Sequence, residues 1–216
     1  MKKTIVTVLV IIALIIIVIQ ATNKESVEPI PRNDLQADHS YESDLSLITD
    51  GTYHVDTNES SVVWTGRGIG KSHTGTIMLA DGDVIVSDGT LTGTMMFDMN
   101  SIISDNHGLD NDLRSANFFK TETHPISTFI IHQYVGGVLE GDLTINGITQ
   151  PVSFPRVDVN NVTTSELHLI GTVEIDRTLW DITFRSASIF SDIGDKAIND
   201  IVTLDVDVVA NLNVTE

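Results

Sequence analysis

The sequence contains no cysteine and few basic residues. Its 216 residues include 12 Lys and Arg against 30 Asp and Glu, which gives a formal charge of −18. The absence of cysteine excludes a disulfide framework, a thiolate zinc site, a cysteine nucleophile and a lipidated N-terminal cysteine. Because the basic residues are few and scattered, the sequence predicts no basic patch. We therefore expect neither nucleic acid nor anionic lipid headgroups as electrostatic partners.

Motifs for catalysis and for metal binding are also missing. There is no G-x-S-x-G elbow, and the seven histidines have neither H-x-H nor H-E-x-x-H spacing. The run GRGIGKS at residues 66–72 resembles a phosphate loop, but that motif needs a glycine where Thr65 stands. The acidic residues 105–112 lack the ligand spacing of a calcium loop. The sequence therefore predicts no metal, no cofactor and no set of catalytic acid, base or nucleophile.

The N-terminal residues 1–21 carry a targeting signal. Lys2 and Lys3 precede an uninterrupted apolar run from Thr4 to Ile19. As a helix this run spans roughly 24 Å of a hydrocarbon core of about 30 Å, and it extends further through residues 20–22. Its length and its β-branched residues favour an uncleaved signal-anchor over a cleaved signal peptide. We expect everything after residue 22 to be exported, in a periplasmic or other extracytoplasmic location, with residues 4–22 in the cytoplasmic membrane.

The following residues form two further segments. Residues 22–50 hold seven acidic residues, two basic residues, Pro29 and Pro31, and this composition predicts a disordered acidic spacer. Residues 51–216 hold 23 acidic and eight basic residues, a formal charge of −15. Their length suits one globular domain.

Residues 51–216 have the pattern of an all-β domain. Short alternating apolar segments predict about eight strands. Hairpin turns are predicted at Asp81-Gly82, Asp88-Gly89, Gly136-Gly137 and Asn146-Gly147. One stretch does not alternate: in Gly108–Lys120, apolar residues recur at spacings of three and four, which predicts one short helix.

Closure into a barrel or a sandwich removes the exposed edges of such a sheet. The last strand would place Leu204, Val206, Val208 and Ala210 on one face and acidic residues on the other. An acidic outer face excludes a membrane-spanning barrel. A soluble barrel of about eight strands is wide enough either to be filled by side chains or to hold one small or elongated ligand.

Six motifs in order give this domain a family resemblance. They are YHVDTNESSVVWTGRGIGKSHTGTI, LTGTMMFDMNSI, LRSANFFKTETHPISTF, GDLTINGITQPVSF, IDRTLWDI and IFSDIGDKAINDIVTLDVDVVA. From Tyr53 to about Asn213 the chain resembles the YceI-like family of polyisoprenoid- or lipid-binding β-barrels. The resemblance implies an extended, lipocalin-like antiparallel barrel whose apolar tunnel holds an isoprenoid or fatty-acyl chain. It also implies a non-catalytic binding protein in the exported compartment of a bacterium.

Two positions depart from the family pattern. Asp112 stands where the family usually has a histidine, and Asp181 stands where it commonly has glycine. By the resemblance, we expect Phe118 and Phe119 to plug one end of the barrel together with the short helix. We also expect Asp176 and Arg177 to form a structural ion pair that closes a barrel end.

Apolar residues at inward positions are the candidate tunnel-lining residues. An extended hydrocarbon gains about 0.8 kcal/mol per buried CH₂, so such a tunnel needs few polar contacts. The candidates are Trp64, Ile77, Leu79, Met95, Phe97, Phe129, Ile131, Leu143, Ile145, Phe154, Leu169, Val173, Trp180 and Phe184.

The identity of the ligand stays open at this point. An isoprenoid quinone, a polyprenyl phosphate and a fatty acid all suit an apolar tunnel. A phosphate head would need Lys71, Arg114 or Arg177 at the tunnel mouth, where His73 is also expected by family position. The alternative is a barrel filled by its own side chains, which would act as a structural, adaptor or stress-response module with protein partners.

Overall fold

The structure, a computed structural model, describes residue 45 and residues 48–190 and 194–213, without the side chains of residues 161 and 162. These residues all belong to one compact unit, residues 41–216. The predicted signal-anchor and nearly all of the predicted spacer lie outside the described residues. Of the helices that the structure describes, none is long and apolar enough to cross a membrane.

Ten strands form one antiparallel sheet that curls into a barrel, so the predicted fold class is confirmed. The strands are β1 Gly51–Val55, β2 Ser61–Gly68, β3 Lys71–Ser87, β4 Thr90–Ser104, β5 Ile126–Val135, β6 Val138–Ile145, β7 Ile148–Phe154, β8 Val157–Thr163, β9 Glu166–Asp176 and β10 Ile198–Leu212.

Their order is β7-β6-β5-β4-β3-β1-β10-β9-β8, and β2 pairs with both β3 and β10. Strands β1 and β2 therefore share one gap between β3 and β10. Strand β1 pairs with residues 83–86 of β3, and β2 pairs with residues 71–77. The structure has two strands more than the eight or so predicted from the sequence. Strand β1 is only five residues long and β8 is rich in polar residues, so the alternation signal is weak in both.

Three of the four predicted hairpin turns are confirmed. Asp88-Gly89, Gly136-Gly137 and Asn146-Gly147 all have positive φ and connect neighbouring strands. The turn predicted at Asp81-Gly82 is wrong, because both residues pair with β4 inside the long strand β3. A register shift lies between Leu79 and Asp81, so this Asp-Gly pair accompanies a bulge. A Cβ at Gly82 would lie 2.9 Å from the Thr94 carbonyl oxygen, which explains the glycine.

The predicted helix is present but shorter than expected. Helix α1 is Asp110–Arg114, and turns follow it up to residue 123. The Ser115 hydroxyl donates to the Asp112 carbonyl at 2.7 Å, and Ser115 itself is extended, which ends the helix. Two short 3₁₀ helices, Arg177–Trp180 and Gly194–Lys196, lie between β9 and β10.

The two ends of the barrel differ. At the end with the β3–β4 turn, here called the closed end, side chains fill the interior: Tyr53, Val84, Leu91, Leu167 and Ala210 are all 0% exposed. The Tyr53 hydroxyl donates to the Thr49 carbonyl at 2.8 Å. The other end, here called the open end, carries the β2–β3 turn, helix α1 and the two 3₁₀ helices.

Candidate functional site

A cavity of about 260 Å³ lies in the open half of the barrel. On β9 its lining extends from Leu169 to Ile175 and does not include Leu167. On β10 it extends from Ile198 to Val208 and does not include Ala210. The barrel is therefore neither fully hollow nor fully filled, since packed side chains close one half and leave the other half open.

Twelve of the fourteen candidate residues line this cavity. They are Trp64, Ile77, Met95, Phe97, Phe129, Leu143, Ile145, Phe154, Leu169, Val173, Trp180 and Phe184. Leu79 and Ile131 do not line it, although both are buried in the core. Alternation identifies the inward face of a strand, but it does not tell how far along the barrel the cavity reaches. Ligand binding by the twelve stays a prediction.

Aromatic side chains shape the wall of the cavity. The Phe129 and Phe154 rings are tilted by 60° to each other with their centroids 5.6 Å apart. Trp180, on the first 3₁₀ helix, is 1% exposed and donates its indole N–H to the Leu143 carbonyl at 3.0 Å. The hydrogen bond satisfies the one polar group of this buried ring, so Trp180 holds the 3₁₀ helix against β6.

Other lining residues were not among the candidates. On β10 they include Val202, Leu204, Val206 and Val208, three of which alternation had already assigned to the inward face of that strand. Ile182 follows the first 3₁₀ helix, outside any strand, where alternation carries no information. A chain-wide count of inward positions would have found the β10 residues but not Ile182.

Helix α1 and the turns after it contribute to the open end. Leu109 and Leu113 line the cavity, and so do the half-buried Phe118 and Phe119. The Phe118 ring meets the Phe184 ring edge-on, with centroids 5.4 Å apart. Phe118 and Phe119 thus lie at the open end, and both form part of the cavity wall. That they plug the barrel, as the resemblance implies, stays a prediction.

The two departures from the family pattern have a local structural account. Asp112 lines the cavity, and its carboxylate accepts a hydrogen bond from the Asn117 amide at 2.8 Å. Asp181 has φ of 60°, the left-handed conformation that glycine adopts most easily and that aspartate tolerates. Its carboxylate pairs with the Lys120 ammonium at 2.8 Å, so the turn after the 3₁₀ helix is kept without glycine.

Arg177 pairs with a different acid from the one expected. Its guanidinium lies 3.2 Å from the Asp200 carboxylate and donates to the carbonyls of Ile182, Ile198 and Asn199. The Asp176 carboxylate instead accepts from the backbone N–H and hydroxyl of Thr178, which caps the 3₁₀ helix. The predicted Asp176–Arg177 pair is wrong because the capping bonds hold the Asp176 carboxylate at the 3₁₀ helix.

The ionic environment of Arg177 affects its pKa. Burial lowers the pKa of the guanidinium, and the nearby carboxylates of Asp200 and Asp176 oppose this effect. With four acceptors around it, this side chain ties β9 to the beginning of β10 at the open end.

Asp110 holds the loop before helix α1. Its carboxylate accepts from the backbone N–H of Ser104 at 2.8 Å, from the Ser104 hydroxyl at 3.0 Å and from the His107 ring at 3.0 Å. Burial by itself would raise the pKa of this carboxyl group, but these hydrogen bonds outweigh it, so the pKa is lowered. The acidic loop is a structural element built around one buried carboxylate. No cluster of three or more metal-ligating side chains occurs among the described residues.

Basic residues gather at the open end, contrary to the sequence-based expectation of no basic patch. Five of the eight basic residues of the domain line the cavity: Arg67, Lys71, Arg177, Arg185 and Lys196. They come from two segments more than 100 residues apart, which the β2–β10 pairing brings together. His73 lines the cavity as well, with its Nδ1 2.9 Å from the Asp105 carboxylate.

The part of the chain that forms the barrel is similar to known proteins. Residues 53–210 match the YceI-like domain. The chain belongs to the YceI-like family. A UPF0312 protein of Staphylococcus aureus is 33% identical over 104 residues, which cover 45% of this chain and 60% of that protein. A UPF0312 protein of Staphylococcus epidermidis is 33% identical over 114 residues, 50% of this chain and 65% of that protein. The alignments thus span under two thirds of these curated relatives.

Two solved structures share the YceI-like fold. BcnA of Burkholderia cenocepacia has a TM-score of 0.61 and 19% identity, covering 72% of this chain and 99% of its own. A polyisoprenoid binding domain from Saccharophagus degradans has a TM-score of 0.62 and 11% identity, covering 76% of this chain and 100% of its own. At these identities the likeness concerns the fold. Because the fold accounts for practically all of both chains, a barrel of this kind folds on its own.

Proposed function

We propose that this YceI-like barrel binds one elongated apolar ligand, a polyisoprenoid, an isoprenoid quinone or a fatty-acyl lipid, without catalysing a reaction on it. The observation that carries the proposal is the cavity in the open half of the barrel, lined by aliphatic and aromatic side chains. A side-chain-filled barrel, as the structural or adaptor alternative requires, would have no such space. The polyisoprenoid binding domain with the same fold adds support at the level of the family.

The lining suits a flexible hydrocarbon chain. Burial of each CH₂ contributes about 0.8 kcal/mol, so a few isoprene units suffice for tight binding without specific polar contacts. Leu204 and Val206 are only partly buried although they pack against the core, because they face the cavity. A bound chain would cover their exposed surface.

The location of the protein is part of the proposal. Residues 4–22 would anchor the chain in the cytoplasmic membrane, and residues 22–50 would be a spacer that lets the barrel work on the exported side. Support comes from the sequence alone, from Lys2 and Lys3 and the apolar run after them. Protease accessibility of the barrel in spheroplasts, whose cytoplasmic membrane is intact and exposed, tests this topology: degradation only after that membrane is lysed would contradict it.

Filling the cavity tests the binding proposal. Val206 lines the cavity opposite Gly171, so Val206→Trp would place an indole in the ligand's path. The matched control is Ile170→Trp, because Ile170 is paired with the next residue of β10 and is 41% exposed on the outer face. Both variants of residues 41–216 are titrated with geranylgeraniol, a long-chain quinone and a fatty acid, after circular dichroism has verified the fold.

We expect saturable binding to the wild type and to Ile170→Trp, with binding to Val206→Trp reduced at least tenfold. Should Val206→Trp fail to fold, the smaller Val206→Phe replaces it. Equal affinity of the wild type and the cavity-filled variant would contradict the proposal. Failure of the wild type to bind any of the three ligand classes would favour the ligand-free module.

A further inference from the structure

Four basic side chains, here called the basic rim, line the cavity at the open end of the barrel. They are Arg67, Lys71, Arg185 and Lys196, and all four are exposed. The segments that carry them come together around Ile198, the first residue of β10. Gly68, between Arg67 and the turn, pairs with Ile198, and the backbone N–H of Ile198 donates to the Arg185 carbonyl at 2.8 Å. Lys71 pairs with Gly68 across the hairpin.

The basic rim has little counter-charge. Among the described residues, no carboxylate lies within 4.0 Å of a side-chain nitrogen of these four residues. Arg67 donates to the Thr203 hydroxyl, and Arg185 lies 4.9 Å from the centroid of the Phe184 ring. Asp195 is exposed beside Lys196 and offsets one of the four charges. The other four basic residues of the domain are engaged differently: Arg114 with backbone carbonyls, Lys120 and Arg156 with aspartates, and Arg177 with both.

Large apolar side chains project beside these cations. Ile69 forms the tip of the β2–β3 turn, between Arg67 and Lys71, and is 58% exposed. Phe190 is 47% exposed, and its backbone N–H donates to the carbonyl of Ser186, which forms a bridge with Ile198. A surface that lies on a lipid headgroup layer typically combines exposed apolar side chains with lysine and arginine. A small soluble anion would contact only the cations, so it would not explain why Ile69 and Phe190 are exposed beside them.

We propose that the open end of the barrel docks on an anionic lipid bilayer, with the basic rim on the headgroups and Ile69 and Phe190 in the interfacial layer. The opening of the cavity then faces the bilayer, the source and destination of an apolar ligand. The rest of the domain is strongly acidic, but salt screens its repulsion from the bilayer, so only the charges near the contact surface count. The Debye length is about 8 Å at physiological ionic strength, whereas the 15-residue strand β10 spans about 50 Å.

Vesicle flotation of residues 41–216 tests docking. We expect association with vesicles of phosphatidylglycerol and phosphatidylcholine, loss of association at high salt and none with pure phosphatidylcholine. Each basic residue removed from such a contact weakens association by about fivefold. We therefore expect that effect from Lys71→Gln. Arg156→Gln is the matched control because it also removes one positive charge, from a residue that precedes β8 and does not line the cavity.

An inserted fluorophore tests the orientation. The native Trp64 and Trp180 are 8% and 1% exposed, so a new surface tryptophan is distinguishable by its change on adding vesicles. Ile69→Trp should show a blue shift with anionic vesicles. Val135→Trp should not, because Val135 is 67% exposed but lies at the β5–β6 turn of the closed end.

The outcomes separate docking from ligand binding. Equal binding to anionic and zwitterionic vesicles, equal loss in Lys71→Gln and Arg156→Gln, or a blue shift only in Val135→Trp would overturn the docking proposal. Ile69→Trp should retain its affinity for geranylgeraniol in vesicle-free buffer, because Ile69 does not line the cavity. A barrel that docks but binds no apolar ligand would leave this proposal standing and contradict the proposed function.

Discussion

Phe129 on β5 extends its ring over Gly141 on the neighbouring strand β6. A Cβ at Gly141 would lie 2.7 Å from the Phe129 Cζ, closer than two carbon atoms can approach. The Ile130 carbonyl oxygen would be closer still, so the glycine makes room both for this carbonyl and for an aromatic ring that lines the cavity and contacts Phe154. Gly141, a glycine inside a strand, therefore helps to set the width of the ligand cavity.

Gly141→Ala should destabilise the barrel and weaken ligand binding together. The added methyl group would meet the Ile130 carbonyl oxygen and the Phe129 ring, and overpacking of this kind costs about 1–3 kcal/mol. Urea unfolding measures the loss in free energy, and titration with geranylgeraniol measures the affinity. Gly108→Ala is the control, since its nearest neighbour is the movable Asn106 amide at 3.2 Å.

The double variant Gly141→Ala/Phe129→Leu identifies the ring as the source of the strain. If the ring is responsible, the double variant loses less stability than the sum of the two single variants. Strict additivity would place the strain in the backbone contact with Ile130 instead.

The Arg177–Asp200 ion pair should be essential for the stability of the open end. Removal of Asp200 by Asp200→Ala leaves a buried guanidinium with backbone acceptors only. Breaking a buried ion pair on one side costs about 3–5 kcal/mol. Thermal and urea unfolding measure this loss, and Asp195→Ala, at an exposed position nearby, is the control. A loss for Asp200→Ala no larger than for Asp195→Ala would show that the pair does not hold β9 and β10 together.

Stability at acidic pH should depend on Asp110. Its pKa is lower in the folded protein than in the unfolded chain, so its contribution to stability is full above the unfolded pKa of about 4. The contribution disappears as the pH falls through the folded pKa. Asp110→Asn should therefore cost most at neutral pH, and the cost should begin to fall as the pH drops below about 4, toward the folded pKa.

Urea unfolding of both proteins between pH 3 and 7, expressed as a difference at each pH, measures this contribution. Glu122→Gln is the control, because Glu122 is exposed and has no hydrogen bond or ion pair with the rest of the described chain. A cost for Asp110→Asn that is the same at every pH would contradict the role of the ionised carboxylate.

The strands and most turns were predictable because their signals are local. Alternation and the Asn-Gly and Asp-Gly pairs need only a few neighbouring residues to be recognised. The same signal failed at Asp81-Gly82, where the close approach of Thr94 on β4 requires the glycine inside a continuous strand. Whether such a pair forms a turn or a bulge depends on a strand that the local sequence does not contain.

The sequence predicted which face of each strand points into the barrel, but not how far along the barrel the cavity extends. Leu79 and Leu169 have the same inward phase, yet only Leu169 lines the cavity. The limit of the cavity depends on packing at the closed end, where Tyr53 and Leu91 fill the interior. The basic rim was not predictable, since Arg67 and Lys196 meet only after β2 pairs with β10.

Native mass spectrometry combined with organic extraction shows whether the barrel carries an apolar ligand. The barrel, residues 41–216, is purified from its expression host and its mass is measured before and after extraction. The account predicts a bound apolar species of defined mass that extraction removes and that an added quinone, polyprenol or fatty acid restores. A ligand-free mass that does not change after incubation with all three classes would contradict it, and the cavity-lining residues would then be core residues without a ligand.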